Sequence, residues 1–370
     1  SPDIKAAKEK AGFTILPGNT SLFSFSGPNP YERAPKLERS DFVQNSNDSF
    51  WSTNLNEPLT YFSPMYGPEA GQLSLRTRMG LTLMQDAAGS DGKFNLQELE
   101  AAVLSNRSYL AELVLPALIA QCEAQGSTPV VVSASLSKDL TSACAALKAW
   151  NGKQDNDSKG GALLREFAHQ FNQKTMLTKG FDPANAATTP NTLATDGSAL
   201  VALAHAALNL EAAGFALDAP LGDVQFVEKS LPDGTASGAR LPWPGSHNAE
   251  GGFNVFSTSL SGDDTLIPQH KYAPLMDVVT GKAMGSGLTA KGYQIRYGSS
   301  WMMAVSFTDE GPVARGILTY SESSNILSPS FTDQSNLYSS SKSFRPLLFK
   351  EADIAPAVVS TTELVLQKAQ

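Results

Sequence analysis

Apolar side chains recur at helical spacing through the middle of the chain. Leu96, Leu99 and Val103 are three or four positions apart, the spacing that places side chains on one face of an α-helix. Asn95 precedes this stripe, and Glu98 follows Asn95 by three positions, which is the pattern of a capping box. Similar patterns predict helices over Arg76–Gln85, Ser108–Gln125, Lys138–Trp150, Gly161–Lys174 and Gly197–Ala213. The middle of the chain is therefore predicted to be mainly helical.

Both flanks of this helical region have a different pattern. Phe13–Arg39 is rich in Pro, Gly, Ser and Asn and has little periodicity, which predicts an extended, ordered loop with short strands, and Asp41–Tyr66 continues in the same style. After the helices, runs of β-branched and aromatic residues alternate with turns. These runs predict strands over Val224–Glu228, Gly292–Tyr297, Ser300–Phe307 and Val313–Tyr320. The Ser-rich stretch Ser321–Phe344 is predicted to be an ordered loop. The order of loops, helices and then strands along the chain predicts an α+β chain with a loop region (1–75), a mainly helical region (76–214) and a region of late antiparallel strands (215–370).

The composition is that of a folded, acidic chain. Of 370 residues, 41% are hydrophobic and 17% are charged, so apolar side chains suffice for a sizeable core. The 28 Lys and Arg residues against 36 Asp and Glu residues give a net charge of −8, and they form no basic cluster. Nucleic acid is therefore not expected as a partner. No apolar run reaches the ~18 residues that a membrane span needs, so no membrane partner is expected either.

Sequence signatures of metal and cofactor sites are missing. Ala87–Glu98 has the glycine and the final glutamate of a calcium loop, but Ala87 and Gly89 stand where the first two acidic ligands belong, so a helix-capping turn is favoured. The four histidines are scattered, and no P-loop, G-x-S-x-G or H-E-x-x-H motif occurs. We expect neither a cofactor nor a metal. Cys122 and Cys144 either form one bridge, which would indicate an oxidising compartment, or remain buried thiols.

The stretch Asp41–Trp51, DFVQNSNDSFW, carries the strongest candidate chemistry. Its carboxamides, Gln44, Asn45 and Asn47, lie between aromatic residues. Such a loop can present an N–H donor in a water-poor place, as an oxyanion hole requires. The alternative is an Asx turn, in which Asn and Asp side chains bind local backbone groups. The residues alone favour the turn.

Two arginines follow at the start of the first predicted helix of the middle region. Arg76 and Arg78 stand where the helix dipole disfavours a cation. This placement indicates a carboxylate or amide partner elsewhere in the chain, although a solvated surface position is the default for an arginine.

A serine at position 1 permits a different kind of chemistry. In an N-terminal nucleophile, the free α-amino group acts as the base for the hydroxyl group. However, Ser1, Pro2 and Asp3 also have the pattern of a helix start. The residues alone favour the helix start.

DFVQNSNDSFW is followed by NEPLTYFSPMYGPE and SLRTRMGL, and together these segments resemble the β-subunit of the penicillin acylase family, above all its acyl-homoserine-lactone and aculeacin-type members. Further likenesses, DNDSKGGALLREF, GPVARGILTYS and SPSFTDQSNLYS, extend the resemblance over nearly all of the chain. The resemblance implies an N-terminal nucleophile hydrolase with an αββα core. It also implies a periplasmic or secreted enzyme whose precursor cleaves itself into α and β chains.

The resemblance assigns roles to particular residues. In this family the first residue of the β chain is the nucleophilic serine, and a backbone N–H and an asparagine side chain bind the oxyanion. Matching the motif implies that Asn47 is this asparagine and that Arg76 positions it, with Arg78 as the alternative. The resemblance argues against Ser1, because the family's nucleophile lies far upstream of its asparagine. Residues 1–370 are therefore expected to be the C-terminal portion of a β-subunit, with the acylase α-subunit and the N-terminal part of the β-subunit as partners.

The activity implied is hydrolysis of an acyl amide bond in an N-acyl homoserine lactone, a β-lactam or a lipopeptide. The resemblance also supports a disulfide between Cys122 and Cys144, consistent with export. The alternative function is a non-catalytic secreted module, for binding or structure, on the acylase scaffold. The N-terminal residue of the partner chain would separate the two, because the partner of a non-catalytic module should lack Ser, Thr or Cys there.

Overall fold

The computed structural model describes residue 5 and residues 18–24, 27–86, 91–258 and 270–366. The chain forms two units, one of residues 1–43 and 49–69 and the other of residues 44–48 and 70–370. The helix start expected at Ser1 lies outside the described residues.

The first unit consists of irregular chain and short 3-10 turns. The turns lie at Ser21–Phe23, Tyr31–Arg33, Phe50–Ser52 and Pro64–Tyr66. Arg39 donates hydrogen bonds to Asp41 at 2.6 Å and to Glu57 at 2.7 Å, and the buried Asn54 donates to the carbonyl oxygen of Phe42 at 2.9 Å. The short strands expected in this region are absent from its described residues, where side chains such as Asp41 and Asn54 bind backbone groups of Phe42.

The second unit contains the helices predicted for the middle of the chain. Its helices are α1 Leu75–Asp86, α2 Leu96–Val103, α3 Tyr109–Gln125, α4 Thr141–Ala149, α5 Gly161–Gln170, α6 Gln173–Met176, α7 Ser198–Ala212, α8 Leu221–Val224, α9 Asp333–Ser341 and α10 Glu351–Ile354. The capping box at the start of α2 is confirmed, since Asn95 Oδ1 accepts the Glu98 N–H at 2.9 Å and Glu98 Oε2 accepts the Asn95 N–H at 2.8 Å. The C-terminal end of Ala87–Glu98, the segment that resembles a calcium loop, therefore forms the helix cap that the sequence favours.

Short strands accompany these helices. They are β1 Val130–Ser133, β2 Leu136–Lys138, β3 Leu177–Lys179, β4 Asn191–Leu193, β5 Gln225–Ser230, β6 Ala236–Pro242, β7 Phe256–Ser257, β8 Leu288–Thr289, β9 Gly292–Gln294, β10 Tyr297–Gly298, β11 Trp301–Thr308, β12 Gly311–Leu318 and β13 Arg345–Leu347. The larger sheets have the strand orders β6-β5-β9-β8 and β11-β12-β13. The mixture of helix and sheet is confirmed.

Two apolar clusters stabilise the second unit. In the helical cluster, Leu110, Val114 and Leu118 of α3 are four positions apart and fully buried, and they pack with side chains of α4, α5 and α7. The other cluster joins the late strands to α9, with the ring of Trp243 stacked on Tyr320 at 5.4 Å between centroids. Burial of aromatic and aliphatic surface of this extent is the main force that holds the unit together.

Three expectations about secondary structure are wrong in part. The helix expected from Lys138 begins at Thr141, because Lys138 pairs with Val130 in the β1–β2 hairpin. The loop expected over residues 321–344 contains α9, whose Tyr338 is buried, so tertiary packing overrides the low helix propensity of its serines. The late strands are antiparallel except for β5 and β9, which pair in parallel.

A disulfide joins Cys122 of α3 to Cys144 of α4, with their Cα atoms 5.9 Å apart. The two residues are 22 positions apart in sequence, and the bond closes the loop that contains the β1–β2 hairpin. The expected pairing is confirmed, and the bond cross-links two helices of the larger apolar cluster.

We expect the double substitution of Cys122 and Cys144 by Ala to lower the free energy of unfolding by about 3 kcal/mol, since a closed loop of this length restricts the unfolded chain. The measurement is thermal and denaturant unfolding of the whole protein. Reduction should weaken the native protein and leave the double variant unchanged. Two thiols that are freely alkylated in protein isolated under oxidising conditions would contradict the bridge.

Candidate active-site loop

Residues 44–48 form a tight turn that displays the side chain of Asn47. Asn45 Oδ1 accepts the Asn47 N–H at 2.9 Å, which is the Asx-turn interaction. Asn47 itself is in the left-handed region, with φ of 70°, a conformation that Asn tolerates better than most residues. Ser46 is buried while Asn47 is exposed. The turn interpretation therefore describes Asn45, and the neighbouring Asn47 keeps its amide outside the turn.

The amide of Asn47 is held by Arg76 of α1. Arg76 Nη1 donates to Asn47 Oδ1 at 2.7 Å and to the carbonyl oxygen of Ser46 at 2.7 Å. Its Nε donates to the carbonyl oxygen of Phe253 at 3.2 Å, and its guanidinium lies 5.6 Å from the Phe253 ring. Since Oδ1 accepts from Arg76, the opposite Nδ2 end of the amide points away from the guanidinium. Among the described residues, none accepts a hydrogen bond from Nδ2.

The start of α1 positions Arg76. Ser74 Oγ accepts the Thr77 N–H at 3.2 Å and so caps the helix, while Asp48 Oδ2 accepts the Ser74 N–H at 2.7 Å. Burial lowers the pKa of Arg76, and the negative charge of Asp48 opposes this shift. Arginine remains charged at neutral pH in any such site, so the guanidinium can act as a permanent donor.

Arg78, the alternative arginine, points elsewhere. It is fully buried, its Nε and Nη1 donate to the carbonyl oxygens of Ala187 at 2.9 Å and Pro190 at 3.0 Å, and its guanidinium lies 4.6 Å from the Tyr109 ring. Two positions along an α-helix rotate a side chain by about 200°. Arg76 and Arg78 therefore serve opposite sides of α1, and only Arg76 contacts Asn47.

The third contact of Arg76 comes from a segment that the sequence did not indicate. The 3-10 helix Asn248–Glu250 leads through Gly251 to Phe253, 177 positions beyond Arg76. Gly251 has φ of 72°, and a Cβ atom there would lie 2.4 Å from Leu75 Cβ. The sequence signal, if any, is the Gly-Gly pair before Phe253, since glycine permits this close approach. A cleft of about 230 Å³ lies beside Arg76, walled partly by Phe253 and Trp301.

Glu250 anchors the same segment to the buried part of α5. It forms an ion pair with Arg165, and the two side chains are 0% and 1% exposed. Glu250 Oε2 also accepts from Gln154 Nε2 at 2.9 Å, and Arg165 donates to Gln225. The fully enclosed charges are thus paired and hydrogen-bonded, as burial requires.

Two histidines with tilted, adjacent rings lie near this ion pair. The rings of His169 and His247 are 4.9 Å apart between centroids, and His247 Nδ1 accepts the Ala249 N–H at 3.3 Å. Burial, and then the positive charge of Arg165, lowers the pKa of His169 to about 4 and that of His247 to about 3. Both rings are therefore neutral at neutral pH.

We expect stability to fall as the pH drops from about 6.5 towards about 4. In this range the unfolded chain binds protons at both histidines and the folded chain does not, so the free energy of unfolding decreases with falling pH. The measurement is the melting temperature of the protein between pH 7 and pH 4. The variants His169→Gln and His247→Gln should each flatten the dependence, and an unchanged slope in both would contradict the assignment.

The described residues contain no group of three or more His, Cys, Asp or Glu side chains that could hold a metal ion. In the same part of the chain, no helix combines the length and the apolar character that a membrane span requires. Ser1 and residues 87–90 of the calcium-like segment lie outside the described residues.

Comparison with known proteins shows the family to which the chain belongs. The sequence profile of the family described as Penicillin amidase matches residues 2–356, so the chain belongs to the penicillin amidase family.

Curated relatives are acylases. An acyl-homoserine lactone acylase PvdQ of Pseudomonas putida is 32% identical over 88% of this chain and 36% of its own length. The aculeacin-A acylase of Actinoplanes utahensis is also 32% identical, over 87% of this chain and 36% of its own. Among solved structures, a thermostable penicillin G acylase from Alcaligenes faecalis is 14% identical, covers 85% of this chain and 56% of its own, and has a TM-score of 0.40. This chain thus spans a little over a third of the length of these curated relatives.

Proposed function

We propose that this chain contributes the oxyanion-binding side chain of an amidohydrolase that cleaves acyl amides. The observation that carries the proposal is the Asn47 amide, whose oxygen is fixed by Arg76 while its Nδ2–H group is left to donate. A preorganised donor of this kind stabilises the negative oxygen that develops when a nucleophile attacks an amide carbonyl. Membership of the penicillin amidase family supports the same reaction class.

In the proposed reaction, a serine outside this chain attacks the amide carbonyl, and its own α-amino group takes the proton. The carbonyl oxygen becomes an oxyanion, to which Asn47 Nδ2–H donates. Collapse of this intermediate, with the proton passed from the α-amino group to the leaving nitrogen, expels the amine and leaves an acyl-serine ester, and water then releases the carboxylic acid. Asn47 binds the oxyanion in both steps, and Arg76 fixes the orientation of the amide throughout.

The nucleophile is proposed to come from a segment beyond these 370 residues. The curated relatives are much longer than this chain, which leaves room for such a segment. In this proposal, the α-subunit and the N-terminal part of the β-subunit are the partners, and together they complete an αββα core. Regions 1–75, 76–214 and 215–370 then carry the site loop, the helices and the returning strands.

The names of the relatives suggest the substrate class. They are acyl-homoserine lactone and aculeacin-A acylases, so we propose an N-acyl homoserine lactone or an acylated peptide as the substrate, with a β-lactam as the further candidate. The Cys122–Cys144 disulfide supports a periplasmic or secreted location, because disulfides persist in oxidising compartments.

The test uses the mature enzyme that contains this chain and its partner segments. It is incubated with an N-acyl homoserine lactone, aculeacin A and penicillin G, and release of the free carboxylic acid is followed by mass spectrometry. Acid should be released from at least one of the three, and this chain purified alone should release none. No release by the mature enzyme, with a partner chain that does not begin with Ser, Thr or Cys, would favour the non-catalytic module. Activity of the isolated chain would instead favour Ser1.

Substitutions of the two arginines of α1 should affect different properties, turnover for Arg76 and stability for Arg78. Arg76→Ala frees the Asn47 amide to rotate, so we expect kcat to fall by roughly tenfold or more while the enzyme still matures. Arg78→Ala removes a buried guanidinium from the carbonyl oxygens of Ala187 and Pro190, and we expect loss of stability instead. Steady-state kinetics and melting temperatures check both. A loss of kcat confined to Arg78→Ala would contradict the assignment of Arg76.

A further inference from the structure

Asp48, the residue after Asn47, ties the turn to the helix that carries Arg76. Its Oδ2 accepts the Ser74 N–H at 2.7 Å, at the start of α1, where backbone N–H groups have no partner within the helix. A negatively charged acceptor at this end of a helix is also favoured by the helix dipole. The side chain thus joins two segments that are 26 positions apart in sequence.

Asn47 therefore lies between two anchors. On one side, the carbonyl oxygen of Ser46 accepts from Arg76 Nη1 at 2.7 Å, and on the other side Asp48 binds Ser74. Both anchors belong to the first residues of α1 or the position just before it. Because Asn47 has φ of 70°, the turn would relax towards a more common conformation if one anchor were lost.

We propose that Asp48 is a positioning residue for the oxyanion donor, a role that rests on the proposed function of Asn47. It acts by fixing the turn against α1, so that the amide oxygen of Asn47 meets Arg76 and its Nδ2–H faces the reacting carbonyl. The negative charge of Asp48 also lies near Arg76 and favours the charged guanidinium.

Different kinetic effects are expected if Asp48 is only a helix cap and if it positions Asn47. If Asp48 only stabilises the start of α1, its loss lowers the melting temperature and leaves kcat unchanged. If it positions Asn47, its loss lowers kcat and leaves KM nearly unchanged, because the affected donor acts mainly in the transition state. The split between kcat and KM therefore distinguishes the two roles.

The experiment compares Asp48→Ala, Asp48→Asn and Asp48→Glu in the mature enzyme. Asp48→Ala should lower kcat by about tenfold to a hundredfold with little change in KM. Asp48→Asn retains an acceptor for the Ser74 N–H and should recover most of the lost kcat. Asp48→Glu keeps the charge but adds a methylene group that shifts the turn, so kcat should fall in this variant too. It therefore provides the test if Asp48→Ala does not mature. The matched control is Asp233→Ala, which removes a carboxylate from an exposed turn in which it binds Thr235.

A second comparison separates failure of this inference from failure of the proposed function. In an Asn47→Gly background, Asp48→Ala should cause no further loss of kcat, because the donor that it positions is already absent. An equal loss in both backgrounds, or wild-type kcat in Asp48→Ala and Asp48→Glu, would overturn the role of Asp48. Wild-type kcat in Asn47→Gly alone would overturn the proposed function itself.

Discussion

Under the proposed function, Asn47→Gly in the mature enzyme is expected to lower kcat by about 10²–10³-fold, the loss that follows removal of one donor of an oxyanion hole. The substituted residue adopts the left-handed backbone without strain, so the turn and its anchors should persist. KM should change little, because the lost hydrogen bond forms chiefly in the transition state. Steady-state kinetics on the preferred acyl amide provide the measurement.

Two variants control for effects on the backbone and on folding. Asn47→Ala removes the same donor but adds strain at φ of 70°, so it should match Asn47→Gly in kcat and melt at a lower temperature. Asn336→Ala truncates an exposed asparagine whose amide donates to the nearby Thr332, and it should leave kcat unchanged. Near wild-type turnover in both Asn47 variants would indicate that the loop is an ordinary turn without a catalytic role.

Local signals account for the helices that were predicted correctly. The apolar stripe of α2 and its Asn95–Glu98 capping box are both encoded within a few residues, and they agree with each other. The local sequence does not predict α9, because its serines disfavour a helix, whereas the burial of Tyr338 against Trp243 stabilises one. Contacts between distant segments are invisible to periodicity.

The sequence likewise indicates some residues of the candidate site and not others. Asn47 and Arg76 were identified through a resemblance in sequence, and the structure brings them into contact. The residues alone favoured an Asx turn, and that turn exists, formed by Asn45. Phe253 was not foreseen, because it acts through its carbonyl oxygen, which every residue possesses, and lies far away in sequence.

The segment that carries Phe253 is anchored by a buried ion pair, and breaking this pair should have a large effect on stability. Glu250 ends the 3-10 helix that leads through Gly251 to Phe253, and its carboxylate is enclosed with the Arg165 guanidinium. A buried ion pair need not stabilise a fold more than an apolar pair does, but removing one partner leaves an uncompensated charge. The remaining bonds of Arg165, to Gln225 and to the carbonyl oxygen of Gly245, are neutral acceptors.

Glu250→Ala is therefore expected to lower the free energy of unfolding by about 3–5 kcal/mol, the cost of isolating a buried charge. Combining it with Arg165→Met should restore part of this loss, because neither charge then remains without its partner. The control is Lys148→Ala, which breaks an exposed pair with Glu123 and should cost no more than about 1 kcal/mol. Unfolding rates and denaturation midpoints of the mature enzyme measure all three. If Glu250→Ala were no more harmful than Lys148→Ala, the pair would not anchor the segment, and Phe253 would have to be held in place by the packing of Gly251 against Leu75.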